Sequence, residues 1–97
     1  MKILIEIPRT DIKDAMEFRE IHPNNVEVIV TKKFDGALDI ISMVVDVTTT
    51  FGPYVLDYLI KRKKEGKKST IKIEGIEYEY DTREELEEII KSANEEE

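Results

Sequence analysis

Residues 36–66, GALDIISMVVDVTTTFGPYVLDYLIKRKKEG, constrain this chain more than any other stretch. Wound on a helix at about 100° per residue, Asp39, Asp46, Thr50, Asp57 and Lys64 share one narrow stripe, with Ser42, Thr49 and Lys61 at its margins. Leu38, Ile40, Ile41, Val44, Val45, Val47, Val55, Leu56, Tyr58, Leu59 and Ile60 fill the rest of the circumference. An ordinary surface helix has a narrower apolar face. Such breadth predicts burial on more than one side, under the rest of the domain or against a partner. One unbroken helix of this length would run about 45 Å, beyond the roughly 30–35 Å diameter expected of so short a globular chain.

The break is written into the residues. Thr48, Thr49 and Thr50 are weak helix formers, and Gly52-Pro53 is punctuation. Pro53 suits the first turn of a new helix, and Gly66 suits a left-handed cap at its end. The pattern therefore predicts two helices, about 36–49 and 53–65, kinked or turned near Phe51-Gly52. The 37–60 window is long enough for a membrane span. Three aspartates inside it argue against one, and no signal-type segment precedes it.

Around this centre the chain reads as one domain, 1–97. Its parts are a β-α-β unit over 1–35, the central helix or helix pair over 36–66, a hairpin plus helix over 69–93, and a frayed tail over 94–97. Ile3, Ile5 and Ile7 alternate with Lys2 and Glu6 in a first strand that Pro8 ends. Thr10 and Asp11 open a helix with Ile12, Ala15, Met16, Phe18 and Ile21 on its apolar side. His22-Pro23-Asn24-Asn25 is a turn. Val26–Phe34 is a second strand, and strand, helix, strand at this spacing predicts a parallel crossover. Ser69–Tyr80 is a hairpin about Glu74-Gly75, pairing Ile73 with Ile76, Ile71 with Tyr78, and Lys72 with Glu77. Thr82 and Glu85 form a capping box ahead of Leu86, Ile89, Ile90 and Ala93, a last helix. The expected fold class is α/β (α+β): a two-layer β-α-β-α-β-β-α domain, about four strands with helices packed on one face.

Composition excludes several chemistries. With no cysteine there is no disulfide, thiolate nucleophile or Cys-based zinc site, and a reducing cytoplasm is the expected compartment. His22 is the one histidine and is expected in a surface turn. Asp39, Asp46 and Asp57 are spaced too far apart on a helix, about 10 Å or more, to pair as carboxylates. No catalytic, cofactor or metal constellation stands out, so an enzyme is not expected.

The net charge of −7 is segregated: residues 61–72 carry seven basic side chains and one acidic, residues 73–97 two and eleven. Lys61, Arg62, Lys63, Lys64, Lys67 and Lys68 are thus the candidate anion- or partner-binding residues. The competing reading is that they complement the dipole of the helix end. The acidic balance, pI about 4.8, and the lack of interleaved aromatics disfavour nucleic acid. Val44, Val47, Phe51, Tyr54 and Tyr58 are the candidate interface residues, with self-association or a protein partner expected.

DGALDIISMVVDVTTTFGPYVLDYLIKRKK followed by STIKIEGIEYEYDTREELEEII resembles the effector-associated constant component family, first type. Tyr58 stands where that pattern has tryptophan, and Glu74-Gly75 replaces a longer polar loop. The resemblance implies a non-enzymatic adaptor of NTP-dependent conflict or defence systems, working by protein–protein contact. It carries over no catalytic residue.

Overall fold

A computed structural model describes residues 1–30 and 40–95. Strand β1 is Lys2–Pro8, followed by a short 3-10 turn over Arg9–Asp11 and helix α1, Ile12–Ile21. Strands β2, Val26–Val30, and β3, Ile40–Asp46, precede helix α2, Gly52–Lys64. Strands β4, Thr70–Ile73, and β5, Ile76–Tyr78, form a hairpin before helix α3, Arg83–Glu95. The five strands make one sheet in the order β2-β3-β1-β4-β5, each antiparallel to its neighbours. Through β4 this is the split β-α-β arrangement of ferredoxin-like folds, extended by β5 and α3. The α+β class read from the sequence is the class of the structure.

Two expectations are corrected. Residues 40–46 are a strand, not the first half of a central helix pair. In β3, Ile41, Met43 and Val45 are buried while Ile40, Ser42, Val44 and Asp46 alternate with them on the half-covered side. A strand with apolar residues on both faces, wound artificially at helical pitch, yields the wide apolar circumference noted above. The second correction follows from it. β3 lies between β1 and β2, so those two run in the same direction but do not pair, and the sheet has five strands. The expected turn at Asp35-Gly36 lies outside the described residues.

The second half of the central stretch is the helix expected. Phe51 donates its N–H to Thr48 Oγ1 at 3.0 Å, Gly52 N–H reaches Thr48 O at 2.8 Å, and Pro53 sits in the first turn of α2. At the other end Gly66 takes φ +74°. Its N–H reaches Lys63 O at 3.0 Å while Lys67 N–H reaches Arg62 O at 2.9 Å. These bonds satisfy carbonyls a helix end would leave open.

One core fills the side of the sheet that carries all three helices. Ile3, Ile5, Ile7, Ile41, Met43, Val45, Ile71 and Ile73 come from the strands; Ala15, Phe18, Val55, Leu56, Leu59, Leu86 and Ile90 come from the helices. The hairpin has the register expected, Ile71 with Tyr78, Lys72 with Glu77 and Ile73 with Ile76. Thr82 Oγ1 accepts Glu85 N–H at 3.2 Å at the start of α3. The Glu85 carboxylate reaches back to Asp81 N–H at 3.2 Å, one residue earlier than the box predicts.

Candidate interaction surface

The sheet has a second face that no described helix covers. β1 contributes Lys2, Leu4, Glu6 and Pro8 to it, and β3 contributes Ile40, Ser42, Val44 and Asp46. β2 adds Glu27 and Ile29; β4 adds Thr70 and Lys72. Register sets these residues in rows across the strands. The central row runs Glu27, Val44, Leu4, Lys72, Glu77. A second runs Ile29, Ser42, Glu6, Thr70, and beyond the rows' ends Lys2 faces Asp46 and Pro8 faces Ile40. Leu4 and Val44 thus sit side by side, Ile29 lies diagonal to Val44 and to Ile40, and Ser42 and Glu6 stand between Val44–Leu4 and Ile40.

Most of this face is half-buried, and Ile29 stays 43% exposed. Lys72 Nζ lies 2.8 Å from Glu6 Oε1, and this hydrogen bond is the main reason the Lys72 ammonium is held above its ordinary range. Glu27 and Lys2 have no ion pair among the described residues.

The five expected interface residues do not form one patch. Val44 lies on the uncovered sheet face. Tyr54 is 52% exposed on the helical side, its ring 4.9 Å from that of His22. Val47 and Phe51 are buried in the core, at 2% and 5%, which removes them as interface residues. Tyr58 stacks on Phe18, with ring centroids 4.2 Å apart and planes 8° off parallel. His22 is not a free turn residue. Half-buried, it packs against the rings of Phe18, Phe51 and Tyr54 at 4.9–5.3 Å.

The basic segment is also divided. Arg62 is 1% exposed and faces inward, which removes it from any external anion site. Its Nη1 donates to Asp14 Oδ2 and Nη2 to Asp11 Oδ2, both at 2.9 Å. Nε donates to Ser69 Oγ at 2.7 Å, and Nη2 also to Lys68 O at 2.6 Å. A buried guanidinium is tolerable because its fork is filled this fully. Lys67 adds a hydrogen bond to Asp14 at 2.9 Å. That bond leads the causes, with Arg62 beside it, that hold the Asp14 carboxyl below the usual carboxylate range. Lys63 donates to Tyr80 O at 2.7 Å and lies 3.4 Å from Asp81. Lys61, Lys64 and Lys68 are exposed with no ion pair among the described residues.

The sequence held one sign of the inward position of Arg62. Val55, Leu59 and Arg62 stand at i, i+4 and i+7 on the buried stripe of α2, so Arg62 points at the core while Lys61, Lys63 and Lys64 are exposed. Asp46 and Asp57 do not share a helix. Asp46 ends β3, 3.6 Å from the Met1 amino group, and Asp57 accepts from Arg83 at 2.6 Å. Asp39 lies outside the described residues.

Beside the Arg62 network, where β4 and β5 diverge, a groove of about 380 Å³ opens between Lys63, Lys67, Lys68, Ser69, Thr70 and the 77–81 segment. Among the described residues no helix is long and apolar enough to cross a membrane.

Neither family models nor curated proteins match this sequence. Among solved structures the fold is similar to that of CPII, a nitrogen regulatory PII-like protein from Thiomonas intermedia K12, whose structure holds ADP, AMP and bicarbonate. The TM-score is 0.53 at 12% identity, over 84% of this chain and 93% of that one. At that identity the likeness is one of fold: a helix-backed antiparallel sheet shared with a regulatory protein.

Proposed function

We propose that this chain is a non-enzymatic protein–protein interaction module that docks through the uncovered face of its sheet. The observation that carries this reading is the set of apolar side chains Leu4, Ile29, Ile40 and Val44 on a face that no described helix covers, with Ser42 and Glu6 between Val44–Leu4 and Ile40. A mix of apolar and polar side chains is the usual make-up of a non-obligate interface. The carboxylates the fold brings together, Asp11 and Asp14, are both committed to Arg62, which supports a non-catalytic role. With the resemblance to effector-associated constant components, such contacts would serve a conflict system.

Affinity capture with wild type, Val44→Lys and Tyr54→Ala tests the reading. A protein retained by wild type and Tyr54→Ala but lost with Val44→Lys supports it. Retention indifferent to Val44→Lys and lost with Tyr54→Ala would move the interface to the helical side.

The groove at Lys63, Lys67 and Lys68 favours a second reading, an anionic small ligand. Lys68 is uncommitted there, and the similar PII-like structure holds adenine nucleotides and bicarbonate. Titration with ADP, AMP and bicarbonate, followed by thermal shift, decides it. Saturable stabilisation lost in Lys68→Ala supports this reading, and a flat response at millimolar ligand contradicts it.

A further inference from the structure

The uncovered face is complementary to itself, and we infer that its occupant is a second copy of this chain, packed face to face about a two-fold axis parallel to the strands. This inference rests on the interaction reading above. Such an axis, placed midway between β3 and β1, keeps the height of a residue along the strand and reverses the order across the sheet. The central row, Glu27, Val44, Leu4, Lys72, then lies over its own reverse. Glu27 meets Lys72 of the second copy, and Val44 meets Leu4 of the second copy.

The other rows obey the same operation. Lys2 and Asp46 are cross-strand partners, so each would lie over the opposite charge in the copy. Ser42 and Glu6 are likewise partners, and a hydroxyl would lie over a carboxylate able to accept from it. Pro8 and Ile40 exchange places as an apolar pair. No row sets like charges over each other. A two-fold interface requires this self-complementarity, whereas a foreign partner does not. Aligned packing of two sheets is a standard solution for burying such faces.

The size of the face sets the strength. Four strands at about 4.8 Å, of which only β1 and β3 reach seven residues at about 3.3 Å each, bound the plan at roughly 19 by 23 Å. That falls below the standard size of stable interfaces, so the dimer is weak and reversible.

Sedimentation velocity across concentration tests this, with the intact chain as wild type, Glu27→Lys, Lys72→Glu and the double swap. Glu27 is exposed and has no ion pair among the described residues, so its reversal leaves the fold intact. Lys72→Glu gives up the Glu6 contact, and circular dichroism checks that it is folded. Lys2→Glu, at an exposed position, is the independent second probe. A wild-type dimer weakened about tenfold by each single reversal, and recovered in the double swap, is the expected result. A wild type monomeric to about 1 mM, or a dimer indifferent to all these charges, overturns the two-fold arrangement. In a monomer, capture of another protein that Val44→Lys abolishes would leave the interaction reading standing without the dimer.

Discussion

Arg62 and Asp14, 48 residues apart in the chain, are joined by a 2.9 Å hydrogen bond from Nη1 to Oδ2 that ties the end of α2 to the first turn of α1. Asp11 takes the other arm of the same guanidinium, and Ser69 Oγ and Lys68 O accept two further bonds from Nε and Nη2 at the approach to β4. One buried cation thus registers the start of α1 with the end of α2 and the nearby approach to β4.

Replacing that cation leaves two carboxylates facing a hole. Removing one partner of a buried pair costs about 3–5 kcal/mol, but Asp11 and Asp14 keep some solvent, at 20% and 27% side-chain exposure. Arg62→Ala is therefore expected to lower unfolding stability by about 2–4 kcal/mol. Arg62→Lys should recover only part of this, because an ammonium cannot fill both arms. Urea denaturation checks the order wild type, Lys, Ala.

Acid should weaken the same junction. The Asp14 pKa is depressed from its ordinary 3.8, first by the Lys67 hydrogen bond and then by the nearby positive charges. A depressed carboxylate contributes stability that is present above the unfolded pKa and lost as pH falls through the folded one. The denaturation midpoint of wild type is expected to drop below pH 3.8, and Asp14→Asn should start lower and show a shallower acid limb. Equal acid limbs in the two would remove Asp14 from the account.

Tyr58 should act at the opposite end of the pH scale. Its hydroxyl is buried with no hydrogen-bond partner among the described residues, and burial pushes its pKa from 10.0 up to about 12, against the pull of nearby Arg62. A raised acid contributes stability present below the unfolded value and lost as pH rises from 10.0 toward about 12. Tyr58→Phe keeps the stack on Phe18, removes an unsatisfied hydroxyl and should be neutral or stabilising by about 1 kcal/mol. It should also flatten the alkaline limb, read by denaturation at matched pH.

The β4–β5 turn carries a small strain that can be relieved. Glu74 sits at φ +51° ahead of Gly75 at +82°, both in the left-handed region that a two-residue hairpin loop demands. Asparagine tolerates that region better than glutamate, so Glu74→Asn is expected to stabilise by about 0.5 kcal/mol. Thermal melting checks it, and a lower midpoint would contradict the turn assignment.

These outcomes bear on what the sequence could disclose. The hairpin, the α3 cap, β1 and the Gly66 cap were legible because each is local: alternation, capping chemistry or a left-handed glycine within a few residues; α1 was legible as a helix, but Thr10 lies in the 3-10 turn without a side-chain cap and Ile21 is exposed. Residues 40–46 were not, because apolar side chains on both faces of a strand satisfy a broad helical wheel as readily. The density of β-branched Ile and Val there favoured a strand. The burial of Arg62 was half legible, from its i+7 spacing to Val55. Its partners Asp11 and Asp14 were not, since only the tertiary fold brings them within reach. The uncovered face could not be read at all before the β2-β3-β1-β4 order was known, because its rows are built from four separate strands.

The most direct test of the account is a methyl NMR dilution series on the intact chain, with Leu4, Ile29, Ile40 and Val44 observed against Ile5 and Leu59. The account predicts concentration-dependent shifts at the first four and none at the two core residues. Shifts confined to Ile21 and its surroundings, or no shifts at any concentration together with no foreign protein that perturbs the four, would contradict the assignment of this face as the interaction surface.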